Sequence, residues 1–512
     1  MRTSLNRLAG WTALAALAGC TVGPNYHRPT APVSPRFKEA AGWAPSQPAD
    51  AIDRGAWWSM FHDAQLDSLE QRVATSNQTV AQYEAAYREA HQVVAEARSS
   101  FFPTIGAEGS ATHSREPNGI SSLGTTGAGT TGTGTSTSTT GTSSGTTGST
   151  GTTGAGATTT SSSGTSIRTT YVAELEASWV PDLWGKVRRT VESDTALAQA
   201  SAADLANARL AAQGSLAEDY FALRVLDEQS RLYHDTVADY QKFLTVTTNQ
   251  YTYGTQARSA VITAQTQLYA AQAQLIDVGV RRSAMEHAIA VLVGVPPAAL
   301  TITPATFARD VPVAPTDVAS SLLERRPDIA AAERRMASAN ALVGVAVSAY
   351  YPSLTLSGDY GSGASSIGSL FTSAASLWSV GAELADTLID FGARRARVRE
   401  QRAAYDESVA TYRQTVLTAF QGVEDELSAL HVYQQEQAVL LQTEASARQA
   451  VQLDLNQYRE GTVDYTTVIT AQATALTASQ NVLTVLQERL QSSVVLVEDL
   501  GGGWSARDLP KS

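Results

Sequence analysis

KVRRTVESDTALAQASAADLANARLAAQGSLAEDYFALRVLDEQSRLYHDTVADYQKFLTVTTNQYTY, residues 186–253, decides the fold. It runs for almost seventy residues with no proline and a single glycine, Gly214. At about 1.5 Å of rise per residue, a continuous helix of that length is on the order of 100 Å long. No ordinary globular domain uses such a helix. A second stretch, residues 393–460, again lacks proline and has only Gly422. Its larger apolar residues Tyr405, Val409, Tyr412, Val416, Val423, Leu427 and Leu430 are spaced by three, four or seven, as in a coiled-coil seam.

Each stretch ends at a glycine, Gly254 or Gly461, and a further helical run follows, over 256–293 or 464–500. In the last run Ile469, Leu476, Leu483, Leu490 and Val497 recur every seven residues, with Leu486 and Leu500 between and after them. The pattern predicts two antiparallel helical hairpins, 186–293 and 393–500. They are copies: Trp184-Gly185 falls on Phe391-Gly392 and Tyr253-Gly254 on Glu460-Gly461, each 207 positions on. Upstream, Phe101-Phe102-Pro103 pairs with Tyr350-Tyr351-Pro352, 249 positions on. The change of offset is an insertion in the first copy, so one architecture is built twice.

After Pro103 the apolar period drops to two. Ile105, Ala107, Gly109 and Ala111 alternate with Thr104, Gly106, Glu108 and Ser110; Tyr171, Leu175 and Trp179 alternate with Glu174 and Glu176. The second copy repeats this with Leu354, Leu356 and Tyr360, and with Trp378, Val380 and Leu384. Strands are expected near 104–113, 170–180, 353–362 and 377–388, each with one apolar face and aromatics near ends, the pattern of transmembrane β-strands. Four strands cannot close a barrel, and an open edge in lipid leaves backbone groups unpaired at several kcal/mol each. Copies of the chain must combine: two give eight strands and a filled interior, three give twelve and a water-filled bore. Glu174, Glu176 and Glu383 would face that bore. The fold class expected is mainly α with a membrane β-barrel part.

Between the first two strands lie residues 114–168, which from Gly119 on are almost entirely Gly, Ser and Thr; they bury too little apolar surface to order themselves. On a barrel they form an external loop, with a role in gating or masking or none. This loop contains Gly141-Thr142-Ser143-Ser144-Gly145 and Gly127-Ala128-Gly129-Thr130-Thr131-Gly132, chance matches to a hydrolase elbow and a dinucleotide loop, because neither joins a strand to a helix. Seven scattered histidines and four methionines suggest no metal site. The residues suggest no enzyme and no cofactor. A formal charge of −12 and a pI near 5.2 leave no basic stripe for nucleic acid.

At the beginning of the chain, Arg2 and Arg7 precede a short apolar core, Leu8 to Leu17, too short to span a bilayer and shaped like a signal peptide, residues 1–19. Leu17-Ala18-Gly19-Cys20 resembles a bacterial lipobox, implying acylation of Cys20, the sole cysteine. Several acyl chains on one residue make a lasting anchor, and Thr21 after it points to the outer membrane. Residues 20–56 should be extended, the first repeat covers 57–294, a link 295–316 leads to the second repeat, 317–504, and 505–512 form a tail.

The hairpin tips remain: Tyr253, Gly254, Thr255 in one, Gly461, Thr462, Val463 in the other. They would lie about 100 Å from the strands and meet something rising from the inner membrane. Asp464, brought together in three copies, would make a cation-favouring constriction or simply cap a helix.

Together these features resemble the outer membrane factor family, the TolC-like channels of tripartite efflux pumps, and in particular its lipoprotein branch of OprM/NodT-type proteins. The resemblance rests on Cys20-Thr21-Val22-Gly23-Pro24-Asn25-Tyr26, Leu323-Glu324-Arg325-Arg326-Pro327-Asp328-Ile329, Tyr351-Pro352-Ser353-Leu354, Tyr458-Arg459-Glu460-Gly461 and Leu500-Gly501-Gly502-Gly503-Trp504. It implies a homotrimer with a twelve-stranded barrel and a helical tunnel, a periplasmic adaptor at the tips, and an inner-membrane transporter of the resistance-nodulation-division type. It also implies a passive duct for small molecules such as drugs. Relatives carry an acid, and some an arginine, in the run matching Ile469-Thr470-Ala471-Gln472-Ala473, where they lock the aperture; here Thr470 and Ala473 take those places. An exit duct for protein secretion shares the fold, and a structural lipoprotein tethering the envelope is the rival of another class.

Overall fold

The computed structural model describes residues 21–31, 37–39, 56–116, 166–306, 311–312, 325–502, 504 and 509–510. The expected signal peptide, Cys20, residues 117–165 of the Gly/Ser/Thr loop and part of the link lie outside them. The chain divides into a helical unit (Met1–Phe101, Asp182–Pro352, Asp386–Ser512) and a strand unit (Phe102–Pro181, Ser353–Ala385).

The helical unit has α1 (Ala64–Ser76), α2 (Gln78–Ser99), α3 (Lys186–Thr252), α4 (Arg258–Leu292), α5 (Pro327–Ser348), α6 (Ala393–Arg459) and α7 (Tyr465–Asp499). Short polar side chains start the first two: Asp63 accepts from the backbone N–H groups of Gln65 and Leu66, and Asn77 from that of Val80. Pro327, with no N–H to lose, opens α5. The heptad residues of α6 pack inward. Tyr412, Val416, Val423 and Leu427 are fully buried, while Tyr405 and Val409 sit at the margin of the cluster around Ile329 and Met336. Leu486, Leu490, Val494 and Val497 of α7 join Leu216, Tyr220 and Leu223 of α3 and Trp57, Phe61 and Leu66 in a second core. Each such side chain contributes about 1.5–3 kcal/mol on burial, so the long helices owe their stability to packing more than to intrinsic propensity.

Gly214 and Gly422, each the sole glycine of its long helix, have a common reason. A Cβ on Gly214 would lie 1.1 Å from Glu498 Oε1, and one on Gly422 2.4 Å from Asp499 Oδ2. The last two residues of α7 thus press their carboxylates onto bare backbone of α3 and α6.

A buried ionic network ties residues 302–305 of the link to the helices. The Arg224 guanidinium, 2% exposed, donates to Asp227 (3.0 Å), Tyr220 Oη (3.1 Å), Gln65 Oε1 (2.5 Å) and the Thr303 carbonyl (3.0 Å). Arg282 meets the other Asp227 oxygen at 2.7 Å and the Ile302 carbonyl at 2.5 Å, and Glu286 accepts the Ile302 N–H at 2.6 Å. The N-terminal segment is held as firmly. Val22 N–H donates to the Trp184 carbonyl, Tyr26 Oη to Glu333 at 2.6 Å, and Arg28 to Tyr412 Oη.

The strand unit is one antiparallel sheet in the order β1 (Thr104–Glu116), β2 (Ser166–Trp179), β3 (Ser353–Ala364), β4 (Ser376–Ala385). Several expected strand ends shift. The β1–β2 ladder runs on through Ser114↔Arg168 to Glu116↔Ser166, so the strands take the first and last residues of the expected loop. Strand β4 stops at Ala385 instead of 388, its last pair being with Ser353, which follows Pro352; beyond it Asp386 and the Thr387 carbonyl bond the Arg394 guanidinium, and Asp390 is drawn to the start of α6. Its carboxylate accepts the backbone N–H groups of Gly392 and Arg394 and pairs with the Arg394 guanidinium at 2.8 Å. Phe391 adopts φ +50 in the turn this makes.

Candidate functional site: an acidic sheet face and two helix tips

Because side chains alternate along a strand, the register decides which residues share a face. Glu108 is opposite Glu174, Glu176 is opposite both Gly106 and Asp359, and Glu383 is opposite Thr355. These pairings place Glu108, Glu174, Glu176, Asp359 and Glu383 on one face, with Ser178, Ser357 and Ser379 among them. Ser379 Oγ donates to Asp359 at 2.7 Å. Gly361 stands opposite Glu174, where an added Cβ would come within 2.6 Å of that of Glu174. The expected lining residues Glu174, Glu176 and Glu383 do share a face. Glu108 and Asp359 join them, and their signal was present: both occupy polar positions of the period-two pattern.

The opposite face is apolar. Leu175, Tyr360 and Trp378 lie side by side across three strands, with Ile105, Val380 and Leu384 on the same side, and all six are exposed in the single chain. A contiguous exposed apolar surface of this kind marks contact with lipid or a partner. No described helix is long and apolar enough to cross a membrane, whereas the alternation of these strands suits one.

At the tips the internal copy extends to individual hydrogen bonds. Gly254 N–H donates to the Tyr251 carbonyl and Gly461 N–H to that of Tyr458, both at 3.0 Å. Thr255 and Thr462 each donate N–H (2.9 Å) and Oγ1–H (3.0 Å) to the carbonyls of Gln250 and Gln457. Gly254 and Gly461 have φ near +75, a conformation nearly free of cost for glycine alone. Tyr253 is 84% exposed. Val463 is half-buried against Tyr458 and Tyr465. Asp464 occupies the residue before α7, but its side chain makes no capping hydrogen bond and is exposed. Thr470 is exposed in the second turn of α7, its hydroxyl returned to the Thr466 carbonyl at 2.9 Å, and it lines a groove of about 480 Å³ with Asp454 and Thr474.

One feature here escaped the sequence reading. Tyr458 Oη donates to Gln250 Oε1 at 2.5 Å, joining the two hairpins, and Tyr465 stacks on Phe243 with ring centroids 5.8 Å apart. Burial, followed by the neighbouring Tyr458 and Tyr240, pushes the Tyr465 hydroxyl up to about 12. Aromatic residues on both sides of a turn glycine were the visible hint. Removing the hydroxyl with Tyr458→Phe should loosen the tip by about 1 kcal/mol, read as faster amide exchange of residues 455–470 with the core unchanged.

The model of the family described as outer membrane efflux protein matches residues 69–295 and 318–502. The chain belongs to that family. It is thus an efflux protein of the outer membrane and not an enzyme. The antibiotic efflux pump outer membrane protein ArpC of Pseudomonas putida is 27% identical over 506 residues, 95% of this chain and 93% of its own. The pyoverdine export outer membrane protein OpmQ of Pseudomonas putida is 33% identical over 347 residues, 66% of this chain and 72% of its own. Among solved structures, the outer-membrane channel OprN superimposes with a TM-score of 0.78 at 27% identity, covering 95% of this chain and all of that one. For a member of the outer membrane efflux protein family, an acidic face and an apolar face on one sheet are the two walls a duct needs.

Proposed function

We propose that this chain is one third of a passive, trimeric export duct of a tripartite efflux pump. Three copies close a twelve-stranded barrel whose bore carries the acidic face and whose outside is the apolar one. Acylated Cys20 anchors each copy; Thr21, the residue after it, packs on Gly185 just before α3, the end of that helix next to β2 in sequence. The tips at Tyr253-Gly254-Thr255 and Gly461-Thr462-Val463 receive a periplasmic adaptor, which engages an inner-membrane transporter of the resistance-nodulation-division type. Asp464 and Thr470 stand at the aperture, and the cargo is small molecules such as drugs. The observation that carries this reading is the open sheet: among the described residues, β1 and β4 each pair with one strand only.

The internal copy supplies the register across that edge. Moving the pair Thr104↔Ser178 by 249 and 207 positions gives Ser353↔Ala385, the pair found between β3 and β4. Treated alike, Glu176↔Asp359 puts Glu383 of one copy opposite Ser110 of the next. A Glu383→Cys, Ser110→Cys protein should therefore oxidise to cross-linked oligomers, since opposed Cβ atoms lie about 4.5–5.5 Å apart. Glu383→Cys with Gly106→Cys, four residues out of register, should not. A single-chain particle in detergent with neither pair linked, and no conductance in planar bilayers, would sink the duct.

A further inference from the structure

Where α1, α3 and α7 meet, Glu70 of α1 is fully buried and neither of its carboxyl oxygens has a hydrogen-bond partner. The charge acting most strongly on it is Glu498 of α7, whose Oε1 is likewise buried and unpartnered, seated over the bare backbone of Gly214. Asp67 of α1 and Glu426 of α6 each present another buried, unpartnered carboxyl oxygen. Glu218 and Asp219 of α3, Asp425 of α6 and Asp499 of α7 complete the surroundings. Arg326 is the cation that acts on Glu498, and it is already committed to Asp328 at 2.8 Å and Asp499 at 2.6 Å.

A desolvated carboxylate with neither donor nor counter-ion is strongly disfavoured, and it escapes by binding a metal or a proton. No three acids or histidines among the described residues converge to hold a metal ion. We propose that Glu70 and Glu498 are a proton-holding pair that clamps α1 onto the α3–α7 contact, tightest when both carboxyls are neutral. Burial first, then the charges of Glu498 and Asp67, pushes Glu70 up to about 9. Burial, then Glu218, pushes Glu498 up to about 8. Both groups hold their protons more tightly folded than unfolded, where the ordinary value is 4.5. Their contribution is therefore complete below that value, falls progressively as pH rises above it, and is gone beyond about 8 to about 9.

The test uses the full-length protein in detergent. Wild type should lose melting temperature as pH is raised over that range, and Glu70→Gln and Glu498→Gln should each flatten the decline, because a glutamine imitates the neutral acid. Difference infrared spectra at neutral pH should show protonated carboxyl absorption in wild type that Glu70→Gln and Glu498→Gln each diminish. An unchanged pH slope in both variants, or no such band, overturns the proposal. If Glu70→Gln does not assemble, the wild-type band decides: its disappearance between about pH 8 and about 9 supports the clamp, and its absence refutes it.

Discussion

Lysine in place of both Glu176 and Asp359 should turn the preference of the reconstituted duct from cations toward anions, by on the order of tenfold in permeability ratio. The two carboxylates stand directly opposite each other on neighbouring strands. Like charges so placed repel at a cost to the sheet, and their retention on a face that also carries Glu108, Glu174 and Glu383 makes that face strongly acidic. Two unit charges about 4 Å apart interact by about 1 kcal/mol even in bulk water, and about 1.4 kcal/mol is a factor of ten. Reversing two charges in every copy therefore suffices. Reversal potentials in a salt gradient across planar bilayers measure it. Glu400→Lys, on the exposed surface of α6, is the control and should leave the preference unchanged. No shift in the double variant would mean that the acidic face does not line the path of the ions.

Arg224→Met should destabilise the helical unit by about 3–5 kcal/mol, the cost of breaking a buried ion pair from one side. The guanidinium serves Asp227, Tyr220, Gln65 and the Thr303 carbonyl together, and both it and Asp227 are excluded from water. Removing it leaves Asp227 with Arg282 and the Ala305 N–H and breaks the bridge from the Thr303 carbonyl to Gln65 of α1. Arg224→Lys should recover little, since an ammonium lacks the planar fork that reaches four acceptors. The denaturant midpoint of the detergent-extracted protein reports both. A loss below about 1 kcal/mol in the methionine variant would show that the network contributes nothing net, as an exposed pair would.

Much of this was legible in advance, and for a common reason. The long helices, their hairpins and the alternating strands each depend on residues close in sequence, so a period of seven or of two reports them directly. Leu483, Leu490 and Val497 in α7 and Tyr412 and Val416 in α6 were core positions on spacing alone, and they are buried. The tips were marked by Gly254 and Gly461, because few residues other than glycine accept their backbone angles. What escaped notice depends on distant partners. Arg224 draws on residues 65 and 303, and Tyr458 on Gln250. No local spacing encodes such contacts. Strand β4 ends early where its partner strand begins after Pro352, and Asp386 and Thr387 bond Arg394 of α6, contacts that need both elements in place.

By itself the order of residues determined a doubled chain of long helical hairpins and two-faced strands, since repetition and periodicity survive without any knowledge of what touches what. Tertiary structure alone decided that Glu108 stands opposite Glu174 and Asp359 opposite Glu176, because a strand's partner residues follow from its register. It also decided why the long helices carry Gly214 and Gly422. A carboxylate from the far end of α7 fills the space where each side chain would be, and only the folded chain brings it there.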